Sequence, residues 1–278
     1  MSKVFCVVPT HNRLLKLKKC IDCLYHQIYS NWELIVVDDG SSDRTADYIE
    51  TLDPTKIKIL KGDGSLWWAG SMRLGMEYVI KNSAKNDYLL MLNDDVEFNH
   101  HFLSDLIIDA RTFPDSIIGV MQKSSENDNH LYNGFTVDYL RLEISYSNQN
   151  ISALPGRGML IPIQIIRVIG LVNSFLFPHF MADLEFSARA NDRGFQLVSS
   201  TKAFIRSDPQ KSDAEIQRKG IFSSLFHLRS RRNIFFRILF FSLRGPVVLR
   251  ILAIPRYFLI RSFKLIKLVT YRLSGKVA

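Results

Sequence analysis

Residues 4–43 read VFCVVPTHNRLLKLKKCIDCLYHQIYSNWELIVVDDGSSD. Val4 to Val8 is a short β-branched run stopped by Pro9, and Leu34 to Val37 is a second run that leads straight into Asp38-Asp39-Gly40. Near-continuous apolar runs of this length are the signature of strands covered on both faces, so both are expected in a parallel sheet. Between them Leu14, Leu17, Ile21, Leu24 and Ile28 recur at helical spacing, which makes the stretch a strand-helix-strand unit.

The same alternation continues outward. Ser41-Ser42-Asp43 offers capping groups before a helix from Thr45 to Leu52, and Ile57 to Leu60 reads as a third strand. Tyr88 to Leu92 is another apolar run that ends in carboxylates, Asn93-Asp94-Asp95. From about Ile117 to Leu160 the apolar runs are shorter and broken by turn residues, so mixed strands are expected there. Phe180 to Gly194 is helical in period, and Asp183 and Glu185 suit the positive end of that helix. The fold class that follows is α/β, an open and mostly parallel Rossmann-like sheet with its ligand crevice along the carboxyl ends of the strands.

With 278 residues, 47% hydrophobic and 23% charged, the chain has ordinary globular proportions; collagen-like, low-complexity and disordered classes are excluded. A chain of this length buries enough surface to do without disulfide or metal staples. Its three cysteines, Cys6, Cys20 and Cys23, fit a reducing compartment, and the single C-x-x-C lacks the second pair that a structural zinc needs. No charged segment followed by a long apolar one opens the chain, so a cytoplasmic location is expected, with the sequon Asn150-Ile151-Ser152 unmodified.

The net charge of +9 is concentrated at one end. Residues 221–278 hold twelve Lys or Arg and no Asp or Glu, whereas the first 220 hold the other 24 basic groups and all 27 acidic ones, a net of −3. This break sets the expected organisation: a domain over 1–220 and a tail over 221–278. Basic residues interrupt the tail too often for the roughly 20 apolar residues of a spanning helix. From Arg256 onward, Arg256, Arg261, Lys264, Lys267 and Arg272 fall on one helical arc, opposite Phe258, Leu259, Phe263, Leu265, Ile266 and Val269. A basic amphipathic helix lying peripherally on the anionic inner face of the cell membrane is expected. Docking of that stripe on the domain or on a second subunit is the alternative. Nucleic acid is disfavoured, because the tail is more apolar than a phosphate-tracking arm requires.

Three clusters could carry chemistry. Thr10, His11, Asn12 and Arg13 follow the first strand beside Asp38 and Asp39 after the second, and such turns offer backbone N–H groups and short polar side chains to a base, ribose or phosphate. Asp94 and Asp95 repel each other unless a cation sits beside them, and a hard divalent metal on a diphosphate needs one or two such carboxylates. Asp183, at a helix start, can point into a cleft as a general base, while Glu185 falls on another face. His179 is as compatible with the core as with a loop and is given no role.

The ordered strings PTHNR, VVDDGSSD, NDD, PGRGMLIP and FPHFMADLEFSARANDRGF resemble the inverting nucleotide-sugar glycosyltransferases of GT-A fold known as family 2, over about residues 3–210. Gly64-Ser65-Leu66-Trp67-Trp68-Ala69-Gly70 resembles the branch with rhamnosyltransferase-like enzymes of surface polysaccharide assembly. The resemblance implies a metal-dependent hexosyltransferase acting on a lipid-linked or polysaccharide acceptor. Its donor would be a nucleoside diphosphate sugar, dTDP-rhamnose first, with galactofuranosyl, glucosyl and galactosyl donors as the others. It implies that Thr10 contacts the nucleotide, Asp39 its base or ribose, Asn93 and Asp94 the ribose and donor sugar, and Asp95 the Mg2+ or Mn2+ ion. Asn12 and Arg13 would line the same donor site, and Asp183 would deprotonate the acceptor hydroxyl.

Other positions stay open. Arg73 either meets a phosphate or lies on a helix surface. Of Trp67 and Trp68, one packs inward while the other stacks on a sugar, or both are structural. Gly156-Arg157-Gly158 suggests a donor or acceptor loop, or a plain turn. The chain departs from the family at Ser65 and Arg73, where Asn is common, at Asn93, and at Ala182, where an acid is common. A late metal-binding His is missing around Arg206 to Pro209, leaving Asp208 as the substitute. A nucleotidyltransferase or an NAD-dependent dehydrogenase would need a glycine-rich first turn, and Pro9 to Arg13 has no glycine. A non-catalytic membrane-bound scaffold is excluded only if the acids converge.

Overall fold

The computed structural model describes residues 1–207, Leu225, His227, Ser230, 233–260 and Ser262. β1 (Val4–Thr10), α1 (Leu14–Tyr25) and β2 (Trp32–Asp38) form the expected unit, with β1 and β2 parallel from Val4 against Trp32 to Thr10 against Asp38. α2 (Thr45–Glu50), β3 (Ile57–Lys61), α3 (Trp67–Asn82) and β4 (Tyr88–Met91) extend the alternation. One expected position moves: α1 ends at Tyr25, and Ile28 lies past it, exposed.

α4 (Phe102–Thr112) leads to β5 (Ser116–Ser124), β6 (His130–Tyr132), β7 (Gly134–Asp138), β8 (Glu143–Ser147) and β9 (Met159–Pro162). α5 (Ile163–Ile169), α6 (Ala182–Asn191) and β10 (Gln196–Ser207) follow, then α7 (Ile234–Leu243) and α8 (Val247–Ile251). The main sheet runs β10-β5-β9-β4-β1-β2-β3, with β6 on β5 and β7-β8 as a separate hairpin. β9 is antiparallel to both β4 and β5. The result is an open, mostly parallel α/β sheet of GT-A type, with the mixed strands where the broken apolar pattern placed them.

Strand alternation splits the core into two layers. Val4, Cys6 and Val8 of β1 pack with Leu17 and Leu24 of α1 and Phe102 and Leu106 of α4; Phe5 and Val7 pack on the other face with Met72 and Met76 of α3 and Ile166 of α5. Cys20 belongs to the first layer, fully buried, and desolvation pushes its thiol well above the usual range. Both layers hold the sheet rigid behind the carboxyl ends of β1 and β4.

A third cluster lies beside α6. Phe236, Phe240 and Phe241 of α7 are buried with Phe177, Met181, Ala182, Leu184 and Ala188, and Ala253 and Tyr257 join them from the helical residues 253–260. Each buried side chain of that size contributes roughly 1.5–3 kcal/mol. The composition break near residue 220 is therefore not a break in packing, since part of the expected tail is built onto the domain. Asn233 starts α7 by accepting from the Phe236 N–H at 3.1 Å. Of the expected basic stripe, Arg261, Lys264, Lys267 and Arg272 lie outside the described residues, as does Asp208.

Candidate active site

The chain leaves β1 for β2 and β3 on one side and returns to β4 on the other, so β1 and β4 flank the point where the strand order reverses. Ligands of open α/β sheets bind outside such points. Here Thr10 ends β1 and Asn93-Asp94-Asp95 follow β4. Thr10 Oγ1 donates to Asp94 Oδ2 at 3.0 Å. Arg13 Nη1 donates to Asp94 Oδ1 at 2.9 Å and to Asp95 Oδ2 at 3.2 Å, so the cation that two adjacent carboxylates require is supplied from the β1-α1 turn. Burial pushes the Asp94 carboxyl above its ordinary value against the pull of Arg13. Asp95 Oδ1 is buried and has no hydrogen-bond partner among the described residues.

Asp39 has a different setting. Its Oδ1 accepts from the Gly64 N–H at 2.8 Å and the Leu66 N–H at 3.3 Å, and its Oδ2 from the Trp67 N–H at 2.9 Å. The carboxylate thus satisfies donors at the start of α3 and fixes Trp67, whose φ is +58°. Asn12 clips the two strand-end turns together: its N–H donates to Ser41 Oγ at 2.8 Å, and its Oδ1 accepts from the Ser42 N–H at 2.7 Å.

Trp68 joins the acids to α6. Its Nε1 donates to Asn93 Oδ1 at 2.9 Å, and its ring lies against Gly156, where an added Cβ would come within 2.7 Å of Cζ2. The Gly156 N–H in turn donates to Asp183 Oδ2 at 2.8 Å. Asp183 is half-buried, and desolvation raises its carboxyl above the ordinary carboxylate range; the N–H groups of Gly156 and Leu184 and the charge of Arg157 oppose that rise.

These groups line one cleft of about 850 Å³. Thr10, Arg13, Asp39, Trp67, Trp68, Asn93, Asp94, Asp95, Arg157 and Asp183 all face it. Two expected site residues do not: Asn12 is spent on its clip, and Arg73 lies exposed on α3, paired with Glu77 at 3.0 Å. The cleft also contains residues given no role from the sequence. His179 packs edge-on to Trp67 with centroids 6.0 Å apart, and Tyr132, Tyr146, His227 and Arg237 also line the cleft. The last two were hidden by their place in a segment whose composition reads as membrane-associated.

The sequence model of glycosyl transferase family 2 matches residues 5–169. The chain belongs to glycosyl transferase family 2. It is 24% identical over 215 residues to glycosyltransferase GlyG of Streptococcus pneumoniae, a match covering 72% of this chain and 66% of the relative. It is 28% identical over 141 residues to GalNAc(5)-diNAcBac-PP-undecaprenol beta-1,3-glucosyltransferase of Campylobacter jejuni, covering 50% and 40%. The chain thus spans from under half to about two thirds of these curated relatives. The crystal structure of GalNAc-T7 with UDP, GalNAc and Mn2+ shares the fold, with a TM-score of 0.61 at 11% identity, over 74% of this chain and 44% of that one.

Among the described residues of this family 2 chain, no three His, Cys, Asp or Glu side chains group closely enough to hold a metal ion by themselves. A hard cation shared with a diphosphate requires fewer, because phosphate oxygens complete its shell. Asp95, on the cleft wall with one buried carboxylate oxygen that lacks a partner among the described residues, fits that smaller demand.

Proposed function

We propose that this family 2 chain transfers a sugar from a nucleoside diphosphate donor to a lipid-linked acceptor with inversion at the anomeric carbon. The observation that carries the reading is the convergence of Asp94, Asp95 and Asp183 on one cleft, tied together through Asn93, Trp68 and Gly156. Asp95, with Asp94 beside it, would hold Mg2+ or Mn2+ against the diphosphate. Bound there, such an ion neutralises charge on the leaving nucleoside diphosphate.

The remaining chemistry falls to the side chains. Asp183 Oδ1 and Oδ2 each accept one backbone N–H, from Leu184 and Gly156, and each keeps lone pairs that can take a proton from an acceptor hydroxyl. As that proton moves to Asp183, the hydroxyl oxygen bonds to the anomeric carbon on the face opposite the departing diphosphate, which inverts the centre. Burial suits Asp183 to this, because a carboxyl raised toward the working pH is a stronger base than an ordinary one. Thr10 and Arg13 hold Asp94 in place, and Asp39, through α3, places Trp67 and Trp68 along the donor.

The acceptor reading draws on the undecaprenol-linked substrate in the name of the Campylobacter relative. It also draws on an apolar surface of the chain itself, Val248, Ile251, Ile254 and Phe258, which suits contact with the cytoplasmic face of a membrane. No helix among the described residues is long and apolar enough to cross one. A thermal-shift screen with Mn2+ over dTDP-rhamnose and UDP-linked glucose, galactose and galactofuranose tests the donor. Asp183→Asn should keep the donor-induced shift and lose transfer; normal transfer of radiolabelled sugar by that variant would remove Asp183 from the mechanism.

A further inference from the structure

The run Gly156-Arg157-Gly158 is more than a plain turn, because its backbone is held at three consecutive residues. The Gly156 N–H donates to Asp183 Oδ2 at 2.8 Å, the Arg157 carbonyl accepts from Nε2 of the fully buried Gln122 at 3.1 Å, and the Gly158 N–H donates to the Met91 carbonyl at 2.8 Å. Gly158 adopts φ +84°, and an added Cβ there would collide with Val120. Pro155, Gly156 and Gly158 are buried, while Arg157 between them is half-buried and faces the cleft. A fixed backbone thus presents one guanidinium.

That guanidinium is not spent on the protein. Arg157 Nη1 donates to Ser207 Oγ at 3.5 Å, longer than an ordinary hydrogen bond, and forms no ion pair among the described residues. Ser207 is neutral, so the charge stays available to an anion. Arg13, by contrast, is paired with both Asp94 and Asp95.

The location narrows the anion. β9 runs antiparallel to β4 with Met159 opposite Met91, so the chain enters β9 from Arg157 at the same edge where it leaves β4 toward Asn93, Asp94 and Asp95. Asp183 adjoins the same loop through Gly156, and the charge of Arg157 is felt at its carboxyl. We propose that Arg157 binds the β-phosphate of the donor and meets the charge that builds there as the sugar leaves. When the acceptor hydroxyl gives its proton to Asp183 and its oxygen bonds to the anomeric carbon, the electron pair of the breaking carbon–oxygen bond passes to the β-phosphate oxygen, which gains one negative charge. A guanidinium offers phosphate oxygens parallel N–H donors, and donors already fixed toward developing charge need no rearrangement as the bond breaks. The phosphate of a lipid-linked acceptor has the same chemistry and is the competing ligand. The assignment rests on the glycosyltransferase reading and adds to it the residue that receives the leaving group.

The test uses the full chain and titration calorimetry with UDP, dTDP and the monophosphates UMP and dTMP, each with and without Mn2+. The wild type should bind one diphosphate at least tenfold more tightly than its monophosphate. Arg157→Ala should weaken that diphosphate about tenfold or more and leave the monophosphate unchanged, in both ion conditions. Arg157→Gln, which keeps the stem of the side chain, should match the alanine variant, and Arg157→Lys, which keeps the charge but not the fork, should retain part of the affinity. Melting temperatures should stay at the wild-type value, because the bonds that fix 156–158 are made by backbone atoms of this loop. Unchanged diphosphate affinity in Arg157→Ala would overturn the proposal, and decyl diphosphoglucose titrated into the UDP-bound chain would then show whether the arginine serves the acceptor's phosphate instead. Equal loss of diphosphate and monophosphate would overturn it too, as would a wild type that does not distinguish the two. A wild type that binds none of the four nucleotides would instead sink the glycosyltransferase reading beneath it.

Discussion

The backbone N–H of Gly156 donates to Asp183 Oδ2 at 2.8 Å while the same residue lies against the Trp68 ring. A methyl group at 156 would sit 2.7 Å from Trp68 Cζ2 and 3.1 Å from Asp183 Cβ. Neither neighbour can retreat without consequence, because Trp68 holds Asn93 and Asp183 is the proposed base. Gly156→Ala should therefore leave the chain folded yet lower transfer about 100-fold, the scale of an ångström of misplacement in a reacting group. Steady-state kinetics beside a circular dichroism spectrum checks this, and wild-type turnover would show that the contact is slack.

Arg13 makes a second prediction, about metal rather than geometry. Its guanidinium offsets the charge of Asp94 and Asp95, and its side chain is 43% exposed, so solvent screens much of the attraction. Arg13→Gln should lower stability by only about 1 kcal/mol. Mn2+ should then raise the melting temperature of the variant more than that of the wild type, because the ion offsets charge that Arg13 no longer covers. Equal Mn2+ shifts would argue against a cation at Asp95.

Contacts of this kind mark where the sequence stops being readable. β1, α1 and β2 were legible because their apolar spacing is local and the turns between them are short. The Arg13-Asp94 pair joins positions 81 apart, and nothing in the spacing of either segment announces it. Asp39 was legible as a strand-end acid, but its three backbone donors come from residues 64–67, so its part in starting α3 depends on the tertiary fold. The tail was ambiguous for a different reason. A phenylalanine- and arginine-rich helix has the same composition whether its apolar face meets lipid or α6, and only the packing of Phe236 and Phe240 separates the cases.

Asp183 gives a pH dependence in two observables. Desolvation, its largest influence, holds its carboxyl above the ordinary value. The base must be ionised, so the acid limb of the rate profile should lie above the usual carboxylate range of about 3.9. For stability the sign is opposite to that of a salt-bridged acid. The native state binds this proton more tightly than the unfolded chain, so wild-type stability is lost as pH rises from the unfolded value through the raised native one. Asp183→Asn cannot ionise, and should melt above the wild type at pH 8, the gap closing toward pH 4. A gap that widened on acidification would mean that Asp183 is held low.

The membrane reading calls for a variant that spares the third cluster. Removing residues 221–278 would strip Phe236, Phe240 and Phe241 from α6, and a single buried Phe→Ala change already costs about 3–5 kcal/mol, so release from vesicles after that deletion would report unfolding as readily as lost contact. The helical residues 253–260 offer a cleaner choice. Ala253 and Tyr257 lie on the packed side, yet Ile254 and Phe258, one turn apart on the outer side, are apolar too, and Ile251 is 76% exposed. A helix with apolar groups on both sides needs a second apolar phase. Ile251→Ser with Phe258→Ser should keep the wild-type melting temperature, because both side chains are already in water, and should abolish co-sedimentation with anionic vesicles. Arg250 and Arg256 stand among these residues, and salt should weaken wild-type binding in proportion to the anionic lipid content. Undiminished co-sedimentation of the double variant would move the membrane contact off this surface.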